Sequence, residues 1–247
     1  MTRVKICGIR QLEHALAAAE AGADYIGLVF VPGRRRRVDI AAAREIVNRV
    51  RVPGINAPGV NAPEVNTPGV IAPGVNAPGN IVPAGDLPKM VGLFADQPCD
   101  EVNRIVRSCG LDLVQLCGQE SPDYCRRVEA GVIKVLHVPG PGFEDEASLL
   151  ANIRQFREAG NLVTLDRQVD GWPGGTGQSF DWDLAARLSQ QGQEFLLAGG
   201  LTPDNVAEAV IRVGPWGVDV SSGVETGGAQ DPDKIRAFVK NARRTGG

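Results

Sequence analysis

The sequence predicts an α/β protein: an eight-stranded parallel (β/α)8 barrel, the TIM-barrel architecture, with a Pro/Gly-rich pentapeptide-repeat insertion between helix 2 and strand 3. Three observations predict it. Strand-sized apolar runs alternate eight times with amphipathic helical patterns. Glycine-rich turns stand at the ends of several of those runs, where ligands bind in such folds. The 247 residues, less the repeat, come to about the usual size of one barrel, on the small side. An open doubly wound sheet competes, but eight regular units without a long crossover favour closure.

The alternation begins with Val4-Lys5-Ile6-Cys7-Gly8. Val4 and Ile6 take one face of a short strand, so Lys5 and Cys7 share the other. Helical spacing over residues 11–21 brings Leu12 and Leu16 together, and Gly22 supplies the stop. Residues 25–30 form the second strand. A basic loop follows at 33–37, and Asp39 caps a helix carrying Ile40, Ala43, Val47 and Val50 on its apolar face. Beyond the repeat, strands are expected at 90–95, 113–117, 132–138, 162–166, 195–200 and 217–223. The intervening helices are marked by Val102, Ile105, Val106 and Cys109, by the Ser121-Pro122 start, and by a stop near Glu158. A glycine-rich loop spans 167–178, ahead of a helix through Leu184 and Leu188. Thr202-Pro203 starts a helix with Val206, Ala209, Val210 and Val213 on one face, and Asp231-Pro232 opens the last, with Ile235, Phe238, Val239 and Ala242 facing inward.

Residues 52–85 interrupt this order. Pro53, Pro58, Pro63, Pro68, Pro73, Pro78 and Pro83 recur every five residues, most units approximating Asn-Ala-Pro-Gly-Val. Proline donates nothing to a strand ladder and Pro-Gly favours type II turns, so neither helix nor sheet propagates here. The segment is expected to be a flexible, low-complexity insertion within a single barrel domain spanning 1–247. It joins a helix to a strand, and so belongs on the N-terminal face of the barrel, away from the chemistry.

Composition removes several function classes. Lys and Arg number 26 against 29 Asp and Glu, a formal net charge of −3, which argues against a general nucleic-acid binder. No apolar run is long enough to cross a bilayer and no signal-peptide pattern opens the chain, so no membrane partner and a cytoplasmic location are expected. Cys7, Cys99, Cys109, Cys117 and Cys125 are odd in number and lack Cys-x-x-Cys spacing, which disfavours a disulfide framework or a zinc site. The two histidines, His14 on a surface helix and His137 near a strand end, read as bystanders. No metal site is expected, and the chemistry falls to Cys, Asp, Glu, Lys or Arg.

Cys7 and Asp166 end the first and sixth strands, so a thiol and a carboxyl meet at one barrel mouth as a candidate acid–base pair. Each also has a plain structural reading: a small buried hydrophobe for Cys7, a loop cap for Asp166. Lys5 and Asp219, on adjacent closing strands, both point inward, and a buried lysine requires a partner, so the two are expected to pair. The turns Gly174-Gly175-Thr176-Gly177, Gly199-Gly200 and Ser221-Ser222-Gly223 are candidates for a phosphate site. One arginine of the 34–37 run could hold a carboxylate in a bidentate fork.

Val4-Lys5-Ile6-Cys7-Gly8-Ile9, Gly27-Leu28-Val29-Phe30, Gln115-Leu116-Cys117-Gly118, Leu165-Asp166, Gly174-Gly175-Thr176-Gly177, Leu197-Ala198-Gly199-Gly200-Leu201 and the run Val218 to Glu225 together resemble the phosphoribosylanthranilate isomerases of tryptophan biosynthesis. The resemblance runs in register over the chain except the repeat. It implies a cofactor-free Amadori rearrangement of N-(5-phosphoribosyl)anthranilate to carboxyphenylamino-deoxyribulose phosphate. Cys7 matches the general base and Asp166 the general acid. Arg36 falls where an arginine meets the anthranilate carboxylate, and Gly200, Ser222 and Gly223 fall in the phosphate-binding turns. The partner implied is a small phosphosugar, and the protein a monofunctional enzyme, monomer or homodimer. Cys117 stands where the family often has histidine, and Arg34 where serine is common. A histidine-pathway ribotide isomerase is the nearest rival, but that chemistry typically uses two aspartates, whereas the first strand here offers cysteine. A scaffold whose repeat binds a partner is the rival from another class.

Overall fold

The computed structural model describes residues 1–52, 87–138, 145–169, 172–173 and 181–244. Eight strands alternate with eight helices among them: β1 (Arg3–Cys7), α1 (Leu12–Glu20), β2 (Tyr25–Val29), α2 (Ile40–Arg51), β3 (Lys89–Phe94), α3 (Cys99–Cys109), β4 (Leu113–Leu116) and α4 (Pro122–Arg126) form the first half. The second half is β5 (Gly131–Val138), α5 (Glu146–Glu158), β6 (Leu162–Val169), α6 (Trp182–Gln190), β7 (Leu196–Leu197), α7 (Val206–Val213), β8 (Gly217–Val220) and α8 (Pro232–Arg243). The sheet runs β5-β4-β3-β2-β1-β8-β7-β6, and β5 also pairs with β6, which closes it. Every barrel pairing is parallel. The predicted barrel is therefore present.

Strand alternation divides the apolar residues into two cores. Val4, Ile6, Ile26, Leu28, Met90, Val114, Leu165 and Val218 face outward and are packed under the helices. Tyr25, Val29, Val91, Leu93, Leu113, Ile133 and Leu196 fill the barrel interior with Cys7. Local signals set the helix starts. Asp39 accepts from the Ala42 amide at 2.8 Å, Ser121 from that of Tyr124 at 3.2 Å, and Asp231 from that of Asp233 at 2.9 Å.

Several elements depart from expectation. The seventh strand pairs only at Leu196–Leu197, and the eighth stops at Val220 because Ser222–Val224 turn into a 3-10 helix. β6 runs on to Val169 and pairs antiparallel with Trp172–Pro173, where a loop from residue 167 was expected. α7 begins at Val206, not Thr202, because Asn205 accepts from the Thr202 amide and donates to the Gly200 carbonyl, forming a local turn that replaces the first helical turn. His14 is buried, not on a surface. After the 3-10 turn, Glu225–Thr226 and Ala229–Gln230 form a small antiparallel hairpin that sequence reasoning missed.

Residues 53–86 and the Gly174–Gly177 turn lie outside the described residues. The chain leaves α2 at Arg51 and returns into β3 at Lys89, so the repeat joins a helix end to a strand start.

Candidate active site

A cavity of about 300 Å³ opens at the C-terminal end of the barrel. Its lining includes Cys7 from β1, Arg34, Arg35 and Arg36 after β2, Cys117 after β4, His137 from β5, Asp166 from β6, and Asp219 from β8. Gly199, Gly200, Ser222 and Gly223 line it too. Parallel strands all present their carboxyl ends to one side, which is how residues far apart in sequence converge there.

Cys7 is buried and its backbone lies opposite Gly27. A Cβ at Gly27 would sit 3.1 Å from the Cys7 Sγ and 3.2 Å from its Cα, so any larger residue would press the thiol by a few tenths of an ångström. Lys5, one turn of the alternation earlier, donates to both carboxylate oxygens of Asp219 at 2.9 and 3.0 Å. The expected pair thus exists, with the ammonium fully buried. Burial works against the Lys5 charge, but the Asp219 carboxylate and then the Cys7 sulfur outweigh it and raise the pKa. Burial also pushes the Cys7 thiol up to about 11, with Lys5 opposing the rise. At rest Cys7 is therefore a protonated thiol beside a permanent cation. Gln230, in the hairpin after β8, donates from Nε2 to the Cys7 carbonyl at 2.8 Å and fixes the strand end.

Asp166 stands opposite His137 across the β5–β6 pairing. Burial raises its carboxyl to about 6; His137 works against the rise and Asp219 adds to it. A carboxyl titrating there is about one-tenth protonated at neutral pH and can serve as an acid. A Cβ at Gly199, which has φ +89°, would lie 3.3 Å from Asp166 Oδ1, so the turn after β7 passes directly beside the carboxyl. His137 was read as a bystander, yet it lines the cavity. Its Nε2 lies 2.9 Å from the Cys117 carbonyl, which can only accept, so Nε2 carries the hydrogen. Nδ1 is buried with no hydrogen-bond partner among the described residues. The Cys117 thiol itself is pushed up to about 12 by burial.

The turns after β7 and β8 pack against one another. A Cβ at Gly223 would fall 1.8 Å from the Leu201 carbonyl oxygen, so no other residue fits. Gly200 has φ +71° and forms part of the same wall. Arg36 crosses over Gly8, where a Cβ would meet its Cδ at 2.5 Å, and donates from Nε to Glu225 at 2.6 Å. Glu225 also accepts from Arg35 Nη2 at 2.7 Å. Burial opposes its charge, but the two guanidinium groups lower its pKa, so it stays ionised. Behind the cavity lining Lys134 and Glu120 form a second buried pair at 2.7 Å. Glu120 accepts from the Asp96 amide and Asp96 from that of Gln119, which holds the loops after β3 and β4 together.

All the expected site residues on described segments thus line one cavity; Gly175 lies outside them. Glu225, Gln230 and His137 were not anticipated. Glu225 stood inside a quoted motif without a role, and the other two carry no local sequence signal. Among the described residues no His, Cys, Asp and Glu side chains are grouped to hold a metal ion, and no helix is long and apolar enough to cross a membrane.

The family model for N-(5'phosphoribosyl)anthranilate (PRA) isomerase matches residues 78–241. The N-(5'-phosphoribosyl)anthranilate isomerase of Trichlorobacter lovleyi is 40% identical over 244 residues, covering 98% of each chain. The multifunctional tryptophan biosynthesis protein of Phycomyces blakesleeanus is 37% identical over 256 residues, 98% of this chain and 32% of its own length. Among solved structures, the phosphoribosyl anthranilate isomerase of Thermotoga maritima superposes with a TM-score of 0.74 at 31% identity, covering 99% of this chain and 100% of that one. A phosphoribosyl anthranilate isomerase in complex with reduced 1-(o-carboxyphenylamino)-1-deoxyribulose 5-phosphate gives 0.71 at 30%, with the same coverage. On the barrel, its mouth and these matches, the chain belongs to the phosphoribosylanthranilate isomerase family.

Proposed function

We propose that the chain isomerises N-(5-phosphoribosyl)anthranilate to 1-(2-carboxyphenylamino)-1-deoxyribulose 5-phosphate, with Cys7 as general base and Asp166 as general acid. The observation that carries this reading is the convergence of a buried thiol, a raised carboxyl, an arginine and two glycine turns on one cavity. The substrate has a charged group for each end of that cavity. The turns at Gly199-Gly200 and Ser222-Gly223 take the phosphate, and Arg36 takes the anthranilate carboxylate, which stretches the sugar between them.

Asp166 gives its proton to the ring oxygen. The C1–O bond breaks as the anilino nitrogen donates its electron pair to C1, which leaves an open-chain Schiff base with a positive nitrogen. That charge acidifies the hydrogen on C2, and Cys7 removes it to give the enolamine. The enolamine gains a proton at C1 and loses the one on its C2 hydroxyl, which yields the ketose. Protons given and taken balance over the cycle, and no net oxidation occurs. Lys5 and the cationic Schiff base both favour the thiolate, and so counter the burial that holds Cys7 protonated in the free protein. A positioned acid or base of this kind contributes about 10²–10⁴-fold.

The test is expression in a bacterial strain lacking this isomerase. Growth without tryptophan is expected with the wild-type chain and not with Cys7→Ala or Asp166→Ala. A folded wild-type protein that fails to restore growth, and leaves the substrate's fluorescence undiminished in vitro, would overturn the reading.

A further inference from the structure

The hairpin after β8 brings a carboxylate to the arginine pair at the cavity mouth. Arg36 lies across Gly8 and donates through Nε to Glu225 at 2.6 Å. Among the described residues that is its one hydrogen bond, so both Nη groups remain for a ligand. Arg35 grips the same carboxylate from the other side at 2.7 and 3.0 Å, and also donates to the Gly228 carbonyl. Glu225 does not drift: its own carbonyl accepts from Lys234 at 2.8 Å, and the Asp231 amide bonds the neighbouring Val224 carbonyl at 2.8 Å. The Glu225 and Arg36 side chains are 9% and 19% exposed, against 52% for Arg35.

A guanidinium can meet a carboxylate along its Nε–Nη edge or through its two Nη groups. Glu225 occupies Nε, which leaves the end-on Nη pair. Two arginines and one glutamate also leave one uncompensated positive charge, the complement of one bound carboxylate. We infer that Glu225 is a positioning and specificity-determining residue, which turns Arg36 to present its Nη pair to the aryl carboxylate of the substrate and so selects carboxylated over uncarboxylated phosphoribosyl arylamines. This rests on the function proposed above, and extends it to a residue that touches no reacting atom.

Two substrates separate this role from a merely structural one: phosphoribosylanthranilate, and the aniline analogue that lacks only the carboxylate. For E225Q we expect KM for the carboxylated substrate to rise about tenfold or more, as for a buried charge pair that loses one partner, while kcat changes less than about threefold. Turnover of the aniline analogue should stay at the wild-type value. In an R36A background E225Q should have no further effect, because the residue acts through Arg36. E225D keeps the charge and shortens the reach, and should show the same split at smaller amplitude; it replaces E225Q if that variant melts below assay temperature. Equal losses on both substrates, additivity with R36A, or no change on either would overturn the inference. A wild-type enzyme that converts neither substrate would sink the proposed function instead, and is a separate result.

Discussion

Burial controls the two groups proposed as acid and base, and sets how the rate should respond to pH. In the proposed mechanism Asp166 enters protonated and Cys7 unprotonated, yet burial places them near 6 and 11. The productive pair is therefore a minority form, on the order of one molecule in 10⁵ of the free enzyme. Its share is level between the two values. Below 6 it falls tenfold per unit, because Asp166 is already protonated while ever less Cys7 is ionised. Measured kcat/KM should thus be flat from about pH 6.5 to 9.5 and fall below 6; a change of slope near 8.5, the ordinary thiol value, would contradict the burial of Cys7. His137 holds the Asp166 value down, so His137→Gln should move the acid limb upward, whereas a limb due to the substrate phosphate would stay put. Lys5→Met leaves Asp219 buried without its partner, and should cost about 3–5 kcal/mol by denaturant titration. Unchanged stability and turnover would mean that the pair matters to neither.

At the scale of elements, the glycines make the site possible. Gly27→Ala would place a methyl group 3.1 Å from the Cys7 Sγ and 3.2 Å from its Cα across the β1–β2 pairing, so that the thiol must move by a few tenths of an ångström. We expect kcat/KM to fall at least about tenfold with the fold retained by circular dichroism; full activity would show that β2 shifts to accommodate the methyl. The strand carrying Lys5 and Cys7 was legible because period two is strict, and so were the Asp39, Ser121 and Asp231 starts, whose side chains cap locally. The start of α7 was not legible, because the Asn205 turn competes with helix on equal local terms. Nor were the Gln230–Cys7 and His137–Cys117 contacts, which join residues on different elements. The 225–230 hairpin is a further case: two residue pairs carry too little pattern to be read as strands.

Across the whole molecule, closure of the barrel is what turns six of the seven sequence motifs, those on described residues, into one cavity. The alternation of strand and helix made that closure readable, and the rule that ligands bind at the carboxyl ends of the strands then located Cys7, Asp166 and the two glycine turns together. The electrostatic state of the site was not readable, since burial and distance set it and neither is written in a motif. The described residues that flank the repeat, the end of α2 at Arg51 and the start of β3 at Lys89, lie at the opposite end of the barrel from the cavity. A chain lacking residues 53–83 should keep kcat/KM within about twofold; a large loss would show that the insertion supports the site. In the proposed mechanism one thiol and one carboxyl at this mouth perform the isomerisation. Its most direct test is turnover of freshly prepared phosphoribosylanthranilate, followed by loss of fluorescence, for wild type, Cys7→Ala and Asp166→Ala at equal folded concentration. Wild type should convert it rapidly and each variant should lose about 10²–10⁴-fold or more; conversion that survives both substitutions would rule out this acid–base pair.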